Sequence, residues 1–413
     1  MIAVAGCGAS QHAAAPGGDR YLITAKRVYT APDAPPLDDA WVEVAGGTIV
    51  AVGNGAAPEG VRHDDTCSGG VIAAGFQNSH VHFIAESFGG AGQKPAAALQ
   101  PPLTELTTKY GFTTVVDTGS NPHDTMPLRD RISRGELLGP AILTAGAPLY
   151  PEHGIPFYLR DLPPEILAIL QQPATADEAR TMVAKNLAAG ADATKLFVAT
   201  PQGKGVIKRM LPDIARAAVE ETHRAGKLVI VHPTDPDGVA AAADAGVDIL
   251  AHTTIDPNPS IWSPELIAKL VANHISVVPT LQLWGYELAK AQLPKPIIDK
   301  ITREAEVQLA AFAKAGGQVL FGTDAGYMSV LDPTEEYVRL AESGLTPVQI
   351  LASLTTAPAA RWNASARRGR VAADLAADLV VLDGDPATDV RNFTAVKCAI
   401  RAGKQVFVRP PAP

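Results

Sequence analysis

Cysteine is scarce in this chain, with Cys7, Cys67 and Cys398 the three present in 413 residues. Setting Cys7 aside with the N-terminus, two cysteines do not make a disulfide framework. A positive charge excess is also missing: the net charge is -8 and no basic stripe stands out. That argues against nucleic acid or an anionic membrane as partner. No apolar run reaches the ~18 residues of a membrane span. No glycine-rich dinucleotide fingerprint follows the first strand of the central region, and no internal repeat appears beyond an alternation of strands and helices. What remains is a soluble globular composition, 46% hydrophobic and 19% charged, long enough for one large core and a smaller unit.

The N-terminus, Met1-Ile2-Ala3-Val4-Ala5-Gly6-Cys7, resembles the end of a bacterial lipoprotein signal without its basic region. Residues 1–18 are expected to be a leader or tether, with a lipid anchor at Cys7 as the one membrane link. The location is then periplasmic or membrane-anchored. It is cytoplasmic if the signal is chance.

Residues 19–73 read as short strands split by Pro- and Gly-rich breaks, and Gly46-Gly47 between two β-rich runs signals a hairpin. From Val71 short apolar runs alternate with helical segments. The strand candidates are 71–76, 113–117, 141–145, 194–199, 228–232, 248–252, 276–280 and 319–323. Eight such units over about 260 residues predict a (β/α)8 barrel, spanning 74–362, with a doubly wound open sheet as the alternative. Residues 363–413 return to strands. The fold class is therefore α/β, a (β/α)8 TIM barrel with a small β-sandwich built from both chain ends.

In such a barrel, chemistry sits at the C-terminal strand ends. His80 and His82 leave the first strand two positions apart, so both side chains point one way. Neutral imidazole is a common metal ligand. Lys195 lies inside the fourth apolar run, His232 and His252 end the fifth and sixth, and Asp324 ends the eighth. Each has a plain structural reading alone: an edge charge, a core histidine, a turn residue. The joint placement is hard to explain that way.

This pattern resembles the amidohydrolase superfamily. The likeness covers nearly the whole chain and includes the segments 245–252 and 322–326 around His252 and Asp324. The layout is closest to its imidazolonepropionase-like and Xaa-Pro dipeptidase-like branch. Gln77-Asn78-Ser79 departs from the family, which often has an Asp there, and Pro233 follows His232 where a small residue is commoner. The resemblance implies two divalent metal ions: His80, His82 and Asp324 on one, His232 and His252 on the other. Lys195, its ammonium form disfavoured by burial and like charge, would take up CO2 as a bridging carbamate. Zinc suits N/O ligation, with Mn, Co or Fe as alternatives. A metal-bridging hydroxide would then attack the carbonyl of a C–N bond, with Asp324 as general acid/base.

A dipeptide or an N-acyl amino acid is the expected substrate. The alternatives are a deaminase or cyclic-amide hydrolase, which the strand-four lysine disfavours for mononuclear deaminases, and a catalytically silent metal-binding surface lipoprotein. His153, in the long loop after strand three, is the first substrate contact expected, followed by Tyr150 and Tyr286. A homo-oligomer is expected. Cys67 and Cys398 lie in the two halves of the sandwich and can meet in an oxidising compartment, although two separate thiols are the plainer expectation.

Overall fold

The computed structural model describes residues 20–162, 164–167, 170–203, 205–255 and 260–411. The leader and the anchor at Cys7 lie outside these residues.

Seven parallel strands carry the centre of the molecule. β1 (Phe76–Val81), β2 (Phe112–Asp117) and β3 (Ala141–Thr144) form one sheet. β4 (Ala193–Phe197), β5 (Leu228–His232), β6 (Ile249–Ala251) and β7 (Ser276–Val278) form another in chain order. Covered on both faces, they read as continuous apolar runs rather than alternating ones. Val116, Ala193, Ile230, Ile249, Val278 and Leu320 make an inner cluster between them. Helices close the outside. The Ala176–Ala188 helix starts where the Thr175 side chain accepts from the Glu178 amide, and Gly190 follows its end at φ 102°.

Two sequence expectations shift by an element. The first parallel strand is not 71–76: Gly70–Ala74 belongs to a different sheet, and Phe76–Val81 carries His80, with His82 just past its end. The eighth expected strand, 319–323, is not a ladder strand. It makes single parallel bridges, Val277–Val319 and, just beyond it, Val81–Ala325. The physical reason is local: Asp324 at φ 60° turns the chain out of the extended conformation. The two sheets therefore do not close into one continuous ladder.

Both chain ends meet in one mixed sheet, ordered Lys404–Val408, Val396–Arg401, Leu379–Leu382, Gly70–Ala74, Arg20–Val28, Leu37–Ala45 and Thr48–Asn54. It is one hydrogen-bonded sheet rather than the two facing sheets of the expected sandwich. Gly46 and Gly47, at φ 57° and 84°, make the predicted hairpin turn. Alternation divides its faces: Ile72, Ala74, Leu379, Val381 and Ile400 enter the sheet's own cluster. Val71, Ala73, Val380, Leu382 and Val396 join the main core. Among the described residues, no helix is long and apolar enough to cross a membrane.

Cys67 and Cys398 are joined in a disulfide across 331 positions of sequence, which corrects the expectation of two separate thiols. Closing so long a loop removes much denatured-state entropy, about 2–5 kcal/mol for a native disulfide. In denatured, unreduced protein, Cys67 and Cys398 should resist alkylation, and reductant should lower the melting temperature. Alkylation of both thiols without reductant would overturn the pairing.

Candidate metal centre

His80 and His82 alternate around Val81, and their rings meet edge-on, 5.2 Å between centroids. Asp324 comes to them from the segment beside β1. Its Oδ1 lies 3.3 Å from His80 Nε2 and 3.0 Å from His82 Nε2. The ligand atoms of these three residues all fall within 4.8 Å of one another. His252 follows β6 and places Nε2 3.9 Å from Asp324 Oδ2, its ring 4.8 Å from that of His80. His232 ends β5, its ring 4.9 Å from that of His252. Lys195 is buried in β4, in register with Ile230. The charge of Asp324 bears on its amine. The structure thus brings together all six residues read from the strand ends.

Two glycines permit this approach. A Cβ on Gly326 would stand 1.9 Å from the His82 carbonyl oxygen, and one on Gly322 2.9 Å from His80 Cβ. Asn78 ties the two segments: its Nδ2 donates to Thr323 Oγ1 at 2.9 Å, and its Oδ1 accepts the His80 amide at 3.1 Å. This residue stands where the sequence departs from the family pattern, and it supplies a link between strands.

Burial sets the protonation. It holds the imidazoles neutral, lowering His80 to about 4 and His232 to about 3, with His252 also well below its ordinary value. It lowers the Lys195 ammonium to about 7 against the pull of Asp324. Burial also pushes the Asp324 carboxyl up, but His80 and His82 outweigh that and keep it well below the usual carboxylate range. Neutral imidazoles and one carboxylate are the donors a divalent cation takes.

The hydrogen bonds around the cluster match that use. Asp324 Oδ1 and His80 Nδ1 are buried without a hydrogen-bond partner, despite the short approaches to Oδ1. His82 Nδ1 donates to the Gly119 carbonyl at 3.0 Å, leaving Nε2 as the lone-pair nitrogen toward Asp324. Thr280 Oγ1 gives its proton to the Pro279 carbonyl at 2.8 Å, so it must accept from His252 Nδ1 at 2.6 Å. His252 Nε2 is then also a lone-pair donor aimed inward. These residues fit a divalent metal ion. Asp117, buried behind His82, accepts from Ser120 Oγ at 2.5 Å and Thr144 Oγ1 at 2.9 Å.

The substrate residues expected from sequence fare differently. Tyr150 is buried and stacks on Phe197 at 4.6 Å, and Phe197 stacks on His232 at 4.8 Å. His153 is not brought to the cluster: its side chain is 87% exposed, 3.6 Å from Glu152. Tyr286 is half-buried on the Leu281–Lys290 helix, its hydroxyl 3.5 Å from Ser329 Oγ. Sequence reasoning missed Thr280, Trp284 and Tyr158. Thr280 was findable, since it is the polar residue ending the seventh expected strand. Nothing in the sequence distinguished Tyr158 from its loop neighbours.

Thr280→Val keeps the shape and removes the acceptor that sets the His252 tautomer. It should weaken divalent-metal affinity by about 10- to 100-fold in competition with a chelator, while Thr280→Ser stays near wild type. Unchanged affinity in the valine variant would sink the positioning role.

Comparison with known proteins adds the family. A model of the amidohydrolase family matches residues 71–406. No curated protein matches the chain at a significant level. Among solved structures, the chain is similar to a Xaa-Pro dipeptidase with bound methionine, at 21% identity and TM-score 0.79, covering 94% of this chain and 99% of that one. A prolidase complexed with N-methylphosphonate-L-proline matches at 24% identity and TM-score 0.78, over 94% and 100%. An ochratoxinase of A. niger matches at 20% and 0.76, over 95% and 96%. At these identities the structures establish a shared fold. With the family match spanning most of its length and the metal-donor set assembled inside that span, the chain belongs to the amidohydrolase family.

Proposed function

We propose that the protein hydrolyses an amide C–N bond with divalent metal, on a dipeptide or N-acyl amino acid. The observation that carries this reading is the convergence of His80, His82 and Asp324, with His252 and His232 adjoining and Lys195 buried alongside. The likeness to a Xaa-Pro dipeptidase, a prolidase and an ochratoxinase supports an amide substrate. The single bridges Leu149–Leu196, Val277–Val319 and Val81–Ala325 support reading the two parallel sheets as arcs of one (β/α)8 barrel over 74–362. The terminal sheet would be a second unit from 19–73 and 363–413.

Two ions suit the arrangement, zinc the first choice: His80, His82 and Asp324 would hold one, His232 and His252 the other. Lys195, as a carbamate, would lie between them. When bound, such ions supply Lewis acidity, which polarises a carbonyl and acidifies water near neutral pH. The chain's own residues do the rest. Asp324 Oδ1 stays with His80 and His82. Its Oδ2, on the His252 side, accepts the water proton and returns it to the leaving nitrogen. Thr280 and the Gly119 carbonyl hold the His252 and His82 rings with their Nε2 lone pairs available to the metal. The disulfide supports an oxidising, periplasmic location.

Metal content per chain, on protein purified without chelator, should be near two, and the peptide bearing Lys195 should carry one added CO2. Asp324→Asn should keep much of the metal and lose turnover by about 10²–10⁴ on a panel of dipeptides and N-acyl amino acids. Near-wild-type rate in that variant would refute the proton-transfer role. One metal with an unmodified lysine would replace this reading with a mononuclear, deaminase-type one.

A further inference from the structure

Away from the metal centre, at the starting ends of the parallel strands, the fold holds a cavity of about 380 Å³. Gln318 marks its place: its Oε1 accepts from the hydroxyl of Ser276, the first residue of β7, at 2.7 Å. Arg368 and Arg370 line it together with Gln318, Thr356, Ala357 and Ser365. Its volume falls in the range of small-molecule pockets, ~300–1,000 Å³. Among the described residues that line it, none is acidic.

The chain as a whole is acidic, at net charge -8, yet residues 361–370 hold four arginines and no carboxylate. Arg361 is engaged, its Nη2 donating to Asp248 Oδ1 at 3.0 Å. Arg368 lacks such a partner. Its side chain is only 21% exposed, and its closest carboxylate among the described residues, Asp378, stands 4.0 Å from Nε, beyond hydrogen-bond distance. Asp378 is already used: its Oδ1 accepts the Ala402 amide at 2.8 Å, and it also attracts Arg401, which Arg368 repels. Arg368 Nη1 donates to Thr114 Oγ1 on β2, while its Nε is buried without a hydrogen-bond partner. Two guanidinium groups thus share one carboxylate in a place of reduced hydration. A cation withdrawn from water without its own anion is held at a cost.

The backbone keeps the two lining arginines in place. Gly369 lies between them at φ 96°, and a Cβ there would stand 2.6 Å from Ala359 Cβ and 2.9 Å from the Thr355 carbonyl oxygen. The chain is therefore pressed onto the Thr356–Arg361 helix, with one arginine on each side of the glycine. Arg370 pairs with Asp33 at 2.9 Å, but the two side chains are 45% and 70% exposed. An exposed pair of this kind contributes little and is readily exchanged for another anion.

We propose that this cavity binds a small oxyanion, a phosphate ester or a carboxylate, between Arg368 and Arg370. The planar guanidinium fork matches two oxygens of such a group, and the anion supplies the charge that Asp378 only shares out. The Thr356 and Ser365 hydroxyls add donors at the cavity wall. This site is separate from the metal centre and does not rest on the amide-hydrolase reading.

The test is calorimetry on the full-length protein with inorganic phosphate and with succinate, each against chloride at matched ionic strength. Binding should appear with a Kd below about 1 mM. Phosphate alone would identify a phosphate ester as the ligand class, succinate alone a carboxylate, and both the oxyanion as such. Arg368→Met should weaken the binding at least about tenfold, and Arg368→Lys, which keeps the charge and loses the fork, should restore only part of it. Arg370→Gln, at the exposed rim where folding is not at risk, should weaken it in the same direction. All three variants should keep the wild-type metal content. Absence of binding beyond the chloride control would overturn the proposal. So would binding that neither the Arg368 nor the Arg370 variants change, the signature of an anion on the metal centre.

Discussion

The cluster depends on one carboxylate being charged in a place that penalises charge. Asp324 is buried, and burial alone would neutralise it. What keeps it ionised is the ring nitrogens of His80 and His82 beside it. The His80 ring is itself pushed toward the neutral form by burial, as are His232 and His252, so positive charge does not accumulate on these three. A set of neutral donors around one anion is poised for a cation. The orphaned Asp324 Oδ1 and His80 Nδ1 mark where protein hydrogen bonds leave that demand unmet.

Holding such a cluster costs backbone strain. His252, Thr280 and Asp324 all have positive φ, at 82°, 46° and 60°. Each is worth on the order of 1–3 kcal/mol and persists only where the surroundings over-determine it. Here the surroundings are identifiable. Thr280 is held by His252 on one side and by the Pro279 carbonyl on the other. The next turn is fixed by Glu336, buried on the Thr334–Glu342 helix, whose carboxylate accepts the Gln282 amide at 2.8 Å. Glu336 is pushed up to about 8 by its burial. Gly322 and Gly326 do the same service for Asp324 by keeping the chain close to β1.

Much of this was legible in the sequence because it rests on strand periodicity. An i, i+2 histidine pair and single polar residues at the ends of apolar runs need no tertiary information to be placed on one face. What escaped depends on chain segments far apart in sequence. The 71–76 run looked like the first barrel strand, but Gly70–Ala74 finds its partner in Leu379–Leu382, and the apolar run continues past Gly75 into β1. The eighth run has strand composition, yet the turn at Asp324 removes it from a ladder. Loop side chains were the least legible: His153 and Tyr158 sit five positions apart on one loop, and no period says which faces inward.

The terminal sheet also sets an order of events for the nascent chain. Gly70–Ala74 has Arg20–Val28 on one side, but its other edge is covered by Leu379–Leu382, a segment made far later in the chain. Until then the edge is open, with Val71 and Ala73 lacking the neighbours that later bury them. A stalled or truncated chain would expose a strand edge suited to pairing with another copy. The Cys67–Cys398 bond has the same dependence, since Cys67 waits for a partner 331 positions later in the chain.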